Sequence, residues 1–164
     1  GALIESMRDV LAAHPDTTLA IAGTGPSEEA LKKLVNDEKL GDSVVFLGNV
    51  TGAEEKQKLY GITDVFVLNT FYESMSNVLL EAMAAGRAVV TTRAGGNPEL
   101  VNDQNGMLVH YNDKKQIVAA IIKLLDDAAL RQRLGEQAYQ TVKQFALDNF
   151  VNENIKVSKS VQGV

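Results

Sequence analysis

Two glutamates in one short stretch carry the chemistry of this 164-residue chain. Glu73 sits in Phe71-Tyr72-Glu73-Ser74-Met75-Ser76, just after the apolar run Val65 to Leu68. Glu81 sits in the middle of Asn77-Val78-Leu79-Leu80-Glu81-Ala82-Met83-Ala84-Ala85-Gly86. The second segment reads as a helix. Ser76 is a fitting N-cap, Gly86 stands where a C′ residue ends a helix, and only Asn77 and Glu81 interrupt an apolar sequence. A carboxylate in such a helix is costly to bury without partners. Neighbouring protein groups can satisfy it, and so can a bound polar ligand. The free N–H groups from Ser76 to Leu79, aided by the helix dipole, can hold a phosphate. Glu81, one turn further on, can then accept both hydroxyls of a ribose. Glu73, in the loop before the helix, faces whatever the phosphate carries. Two acids act as a glycosidase pair only when both flank one scissile bond. With seven residues between them, on a loop and a helix, these two suit separate contacts.

The apolar pattern supplies the frame that such a loop and helix need. Short runs rich in Val, Ile and Leu read as buried strands: Leu19 to Ala22, Val44 to Leu47, Val65 to Leu68, Ala88 to Val90 and Met107 to Val109. Helical spacing fills the intervals over Gly1 to His14, Glu28 to Lys39, Ala53 to Tyr60, Asn77 to Ala85, Asp113 to Leu125 and Ala128 to Phe145. This alternation predicts parallel strands with right-handed crossovers, an α/β fold with a three-layer, doubly wound sheet. Ligands in such folds sit at the carboxyl ends of the strands. The chain is expected to be one domain over 1–164, with 148–164 as an extra C-terminal helix. Its first residues look helical from the first turn, so an upstream portion is expected to be missing.

Two more strand exits bear on a ligand site. Leu19 to Ala22 runs into Gly23-Thr24-Gly25-Pro26, with Ser27 as the N-cap of the next helix. Gly23 and Gly25 allow close approach of backbone to a ligand. A dinucleotide fingerprint needs a third glycine where Glu28 stands, so the local reading is a tight strand–helix turn. After Val44 to Leu47 comes Gly48-Asn49-Val50-Thr51, locally a plain strand exit. Gly48 also leaves room for a flat base, and Val50 can offer its backbone N–H and C=O to the base edge.

Bulk properties remove other classes. The chain has no cysteine, which excludes disulfide scaffolds, zinc–thiolate sites and cysteine nucleophiles and fits a reducing cytoplasm. Its formal net charge of −5 and lack of a Lys/Arg cluster argue against nucleic acid. No apolar run reaches the roughly 18–20 residues of a membrane span. His14 and His110 lie far apart without ligand-spaced neighbours, and no Asp-x-Asp pair stands at a strand end, so no metal is implied.

The stretch from Phe71 to Gly86 resembles the E-x7-E motif of retaining glycosyltransferases with the GT-B fold, group 1 family. Glu73 and Glu81 fit its two acids, and Leu80-Glu81-Ala82-Met83-Ala84 and Gly86 fit its core and end. Gly23-Thr24-Gly25-Pro26 resembles the family's G-x-G-P turn. Val45-Phe46-Leu47-Gly48, Ala94-Gly95-Gly96-Asn97-Pro98-Glu99 and Asn105-Gly106-Met107-Leu108-Val109 follow in family order, so the likeness covers roughly residues 15 to 135.

The resemblance implies a donor-binding domain for a nucleotide-diphosphate sugar, with no cofactor and no metal. It implies that Glu73 contacts the donor sugar as the catalytic acid residue and that Glu81 binds ribose. Met75, Ser76, Asn77 and Val78 then hold sugar and diphosphate through backbone amides, and Val50 borders the base. Gly95 and Gly96 are expected to be structural. Ser74 and Ser76 replace the family's glycine and its Pro or Gly. Both are small, so close approach is preserved, but donor preference can differ. The family's upstream Arg and Lys, which neutralise the diphosphate, and its acceptor-binding N-terminal domain would precede Gly1. The fragment alone is therefore expected to bind donor weakly and turn over poorly, and any contact with the inner face of a membrane falls to that missing half. A non-catalytic nucleotide-sugar-binding module and an NAD-binding oxidoreductase domain are the competing readings, the second weakened by the absent third glycine.

Overall fold

Strand alternation sorts the core onto two faces of a parallel sheet. The computed structural model describes residues 1–72, 74 and 76–161, with side chains described as far as residue 146. The order is α1 (Ala2–Ala13), β1 (Leu19–Ala22), α2 (Glu28–Asp37), β2 (Val44–Gly48), α3 (Ala53–Ile62), β3 (Val65–Leu68), α4 (Asn77–Ala84), β4 (Ala88–Thr92), α5 (Asn97–Leu100), β5 (Met107–Val109), α6 (Lys114–Asp126) and α7 (Ala128–Val161). Each of the five sequence-predicted strands is present, β2 and β4 running on to Gly48 and Thr92. The four-residue α5 was not expected. The last helix is continuous from Ala128 to Val161, so the stretch after residue 148 prolongs it. Residues 162–164 lie outside the described residues.

On one face, Val65, Val67, Ala88, Val90, Met107 and Val109 meet α1, α2 and α6 through Met7, Val10, Val35, Ile117 and Leu124. On the other face, the intervening Phe66, Leu68, Val89 and Leu108 meet Leu79, Ala82 and Met83 of α4 and Ala138 of α7. The period of two along each strand thus becomes two apolar layers. This is the three-layer arrangement that strand–helix alternation predicts.

The strands are all parallel but form two sheets, β1-β2 and β3-β4-β5, among the described residues. One core joins them, because Leu19, Ile21 and Phe46 pack into the same cluster as Val65 and Val67. The winding reverses between β1 and β3: α2 covers one face and α4 the other. Strands β1 and β2 are less buried than their apolar composition suggested. Ala20, Ala22, Val45 and Leu47 are exposed, with Val45 at 43% and Leu47 at 41%. No fully buried residue of α3 covers that face.

Helix ends follow local chemistry in one case and not in another. At α4, Ser76 Oγ accepts the Leu79 N–H, as an N-cap does. Gly86, at φ +67, donates to Met83 O, and Arg87 donates to Ala82 O. That pair of bonds is a Schellman ending, which needs the left-handed conformation glycine adopts freely. At α2, Ser27 is the capping residue but its side chain makes no cap hydrogen bond. Its own backbone is already helical, at φ −86 and ψ −3, and the extended conformation of a capping serine is missing.

Candidate functional site

The winding reversal sets the exits of β1, β2, β3 and β4 as the place where a ligand belongs. The first two exits are joined directly. The Gly23 N–H donates to Gly48 O at 2.6 Å, and both glycines have positive φ, +124 and +64. The turn from Gly23 to Ser27, with Ile21, Leu31 and Phe46 beneath it, lines a groove of about 260 Å³. Gly23 and Gly25 are exposed on its rim, and Val50 is half-buried two residues beyond Gly48.

The exit of β3 is held from both sides. Asn69 and Asn112 exchange hydrogen bonds, Asn69 Nδ2 to Asn112 Oδ1 at 2.8 Å and Asn112 N–H to Asn69 Oδ1 at 3.1 Å. Phe71 meets Tyr111 edge-on, with ring centroids 5.4 Å apart. From β4, Thr91 Oγ1 donates to Leu68 O at 3.2 Å and Thr92 Oγ1 to Thr70 O at 2.7 Å. Asn97 holds those threonines. Its fully buried amide donates to Thr91 Oγ1 at 3.0 Å and to Thr92 O at 3.2 Å. Beside it, a Cβ placed on Gly96 would lie 2.2 Å from Ser74 O. Gly96 is thus the residue that lets the β4–α5 loop press against the loop before α4, in keeping with the structural role expected for it.

Glu73 and Met75 lie outside the described residues. Of the rest of the predicted set, Ser76, Asn77, Val78 and Glu81 gather at α4, while Gly23, Gly25 and Val50 stand at the β1 and β2 exits. Ser76 is buried as the cap, and Asn77 and Val78 are exposed in the first turn. Their amides make no hydrogen bond among the described residues. Glu81 stands four residues after Asn77, hence on the same side of the helix.

Glu81 already has protein partners, which its sequence context left undecided. Lys56 Nζ donates to Glu81 Oε1 at 2.7 Å and Tyr60 Oη to Glu81 Oε2 at 3.1 Å. The carboxylate is not sealed off: the Glu81 side chain keeps 35% of its exposure and Lys56 keeps 32%. Burial, with the Glu81 carboxylate as the lesser cause, pushes the Tyr60 hydroxyl up to about 12. Tyr60 also packs edge-on against Phe66, centroids 6.1 Å apart, within the apolar layer under α4. Sequence reading passed over Lys56 and Tyr60. Their spacing of four on an otherwise exposed helix was the only signal, and nothing in it names a partner 21 to 25 residues away.

A larger cleft, about 680 Å³, lies at the opposite ends of the strands between Gly86–Ala88 and α7. Its two arginines are committed to the fold: Arg87 donates to Ala85 O and Thr63 O, and Arg131 to Leu124 O and Leu125 O. Among the described residues no helix is long and apolar enough to cross a membrane.

Comparison with known proteins agrees with this fold. The family model "Glycosyl transferases group 1" matches residues 2–141. An uncharacterized glycosyltransferase of Methanocaldococcus jannaschii is 34% identical over 159 residues, covering 96% of this chain and 40% of that protein. The C-terminal domain of a glycosyl transferase group 1 family protein from Francisella tularensis superposes with a TM-score of 0.77 at 30% identity, over 87% of this chain and 76% of that one. HepE of Anabaena, solved in complex with UDP-glucose, shares the fold, with a TM-score of 0.80 at 22% identity over 95% of this chain and 44% of that one. The chain spans 28% to 44% of the length of the curated relatives it matches. With the family model covering most of its length and the Rossmann-like architecture in place, the chain belongs to the glycosyl transferases group 1 family.

Proposed function

We propose that this chain is the donor-binding part of a retaining glycosyltransferase, which moves a sugar from a nucleotide diphosphate to an acceptor hydroxyl. One observation carries the reading: the Asn77 and Val78 amides, which make no hydrogen bond among the described residues, open α4, and Glu81 stands one turn along the same side. The amides take the diphosphate. Glu81 takes the ribose hydroxyls. Val50, after the Gly23–Gly48 contact, borders the base. Glu73, in the loop anchored by Asn69, Thr70 and the Ser74–Gly96 contact, orients the sugar and supports the positive charge that develops at the anomeric carbon.

In the transfer, the bond from the anomeric carbon to the diphosphate oxygen breaks, one to the acceptor oxygen forms on the same face of the ring, and the acceptor's hydroxyl proton passes to the leaving diphosphate oxygen. The leaving diphosphate gathers charge as that bond breaks. Preorganised N–H groups and the helix dipole stabilise it there, joined by basic residues contributed from upstream of this chain. No metal is assigned a part. The UDP-glucose complex of the Anabaena neighbour supports a nucleotide sugar as the ligand class.

Calorimetry of the chain against UDP-, GDP- and ADP-glucose tests this reading. One nucleotide should bind with saturable heat, and Glu81→Gln should weaken it at least about tenfold, as loss of a charged hydrogen bond does. Binding of NADH with no response to any of the three would contradict it.

A further inference from the structure

Resting on the ribose role proposed for Glu81, we infer that Lys56 and Tyr60 are positioning residues that set the Glu81 carboxylate for a ribose diol. An ionised carboxylate has two oxygens and about four lone-pair sites. Lys56 occupies one site on Oε1 and Tyr60 one on Oε2, at 2.7 and 3.1 Å. Among the described residues one site on each oxygen is left, matching the two O–H groups of a vicinal diol. A glutamate without these anchors would keep its side-chain rotamers free and lose that entropy on binding.

The anchors are themselves held. Lys56 and Tyr60 are four residues apart on α3 and so share one side of it. Tyr60 is fixed by Phe66 and reaches Val78 O at 3.4 Å. Only Lys56, Leu59 and Tyr60 of α3 are even half-buried. The contact with Glu81 therefore does much of the work of seating α3, and α3 begins at the end of the loop that carries Val50. Lys56 has a second effect: its ammonium offsets the Glu81 charge one turn from where a diphosphate would sit, which a bare carboxylate would repel.

The test is the affinity ratio between a ribonucleotide and its 2′,3′-dideoxy analogue, measured by calorimetry with UDP, GDP and ADP in the full-length protein. In the native protein the ribonucleotide form of the bound base should win at least about tenfold. Glu81→Gln should bring that ratio close to one. Tyr60→Phe and Lys56→Met should each lower it at least about threefold, with folding confirmed by a cooperative melt. A lost helix contact that merely loosened α3 would weaken both analogues alike and leave the ratio unmoved. If both variants keep the native ratio while Glu81→Gln abolishes it, Glu81 reads ribose unaided and the positioning role is wrong. If the native ratio is itself near one, the ribose reading fails first and this inference falls with it. Hydrogen exchange gives an independent check: α3 amides should exchange faster in Tyr60→Phe, and unchanged protection would contradict the seating of α3 by this contact.

Discussion

Gly96 lies so close to Ser74 that a single methyl group cannot be placed between them: a Cβ on Gly96 would stand 2.2 Å from the Ser74 carbonyl oxygen. Ser74 directly follows Glu73 in the sequence, so this contact bears on the loop proposed to face the sugar. The obstacle is backbone rather than a flexible side-chain tip, and relief requires one loop to move.

Gly96→Ala should therefore lower stability by about 1–3 kcal/mol, the usual cost of overpacking. It should also weaken donor binding. Gly25→Ala is the control. A Cβ there meets nothing within 4 Å, so stability should change by less than about 0.5 kcal/mol, and only a ligand closing on the turn would feel it. Thermal melts with and without nucleotide check both. Equal stability of Gly96→Ala and the native chain would refute the close-packing account.

Asn97 should behave as a brace. Its amide is fully buried and holds Thr91 and Thr92, which hold the β3 exit. Asn97→Ala leaves buried acceptors unpaired, at a cost of about 1–3 kcal/mol. Urea unfolding should show that loss with an unchanged slope. No loss would mean the side chain is replaceable there.

Tyr60 should give the chain a distinctive response to alkali. Its hydroxyl is held near 12 against an ordinary 10, first by burial and then by Glu81. The folded state therefore keeps a proton that the unfolded chain gives up, so this contribution is complete below pH 10 and is lost as pH rises through about 12. In Tyr60→Phe, the fall in melting temperature between those values should be shallower than in the native chain. Ultraviolet titration of Glu81→Gln should show Tyr60 moved down but still above its ordinary value, since burial remains. A Tyr60 that ionises normally in the native chain would overturn this.

Much of the frame was legible in the sequence because it rests on local periodicity. Val65 to Leu68 and Ala88 to Val90 announce strands, and Gly86 announces a helix end, without reference to anything distant. What escaped depends on contacts between remote segments. Ala20, Ala22, Val45 and Leu47 look like core in sequence yet lie exposed, because which helices cover which face is a matter of topology. Ser27 has the right residue type for a side-chain cap but the wrong backbone conformation. Glu81 was recognisable as a charge needing partners. That those partners are Lys56 and Tyr60 follows only once α3 and α4 are packed together.

The two acids are the centre of the account, and steady-state transfer by the full-length enzyme tests them most directly. With saturating acceptor and the nucleotide sugar selected by calorimetry, Glu81→Gln should raise the donor KM at least about tenfold with a smaller effect on kcat, as loss of binding common to ground and transition states does. Glu73→Gln should lower kcat by about a hundredfold or more, as loss of charge stabilisation at the reacting centre does. Native kinetics in both variants would contradict the assignment of this loop and helix as the donor site.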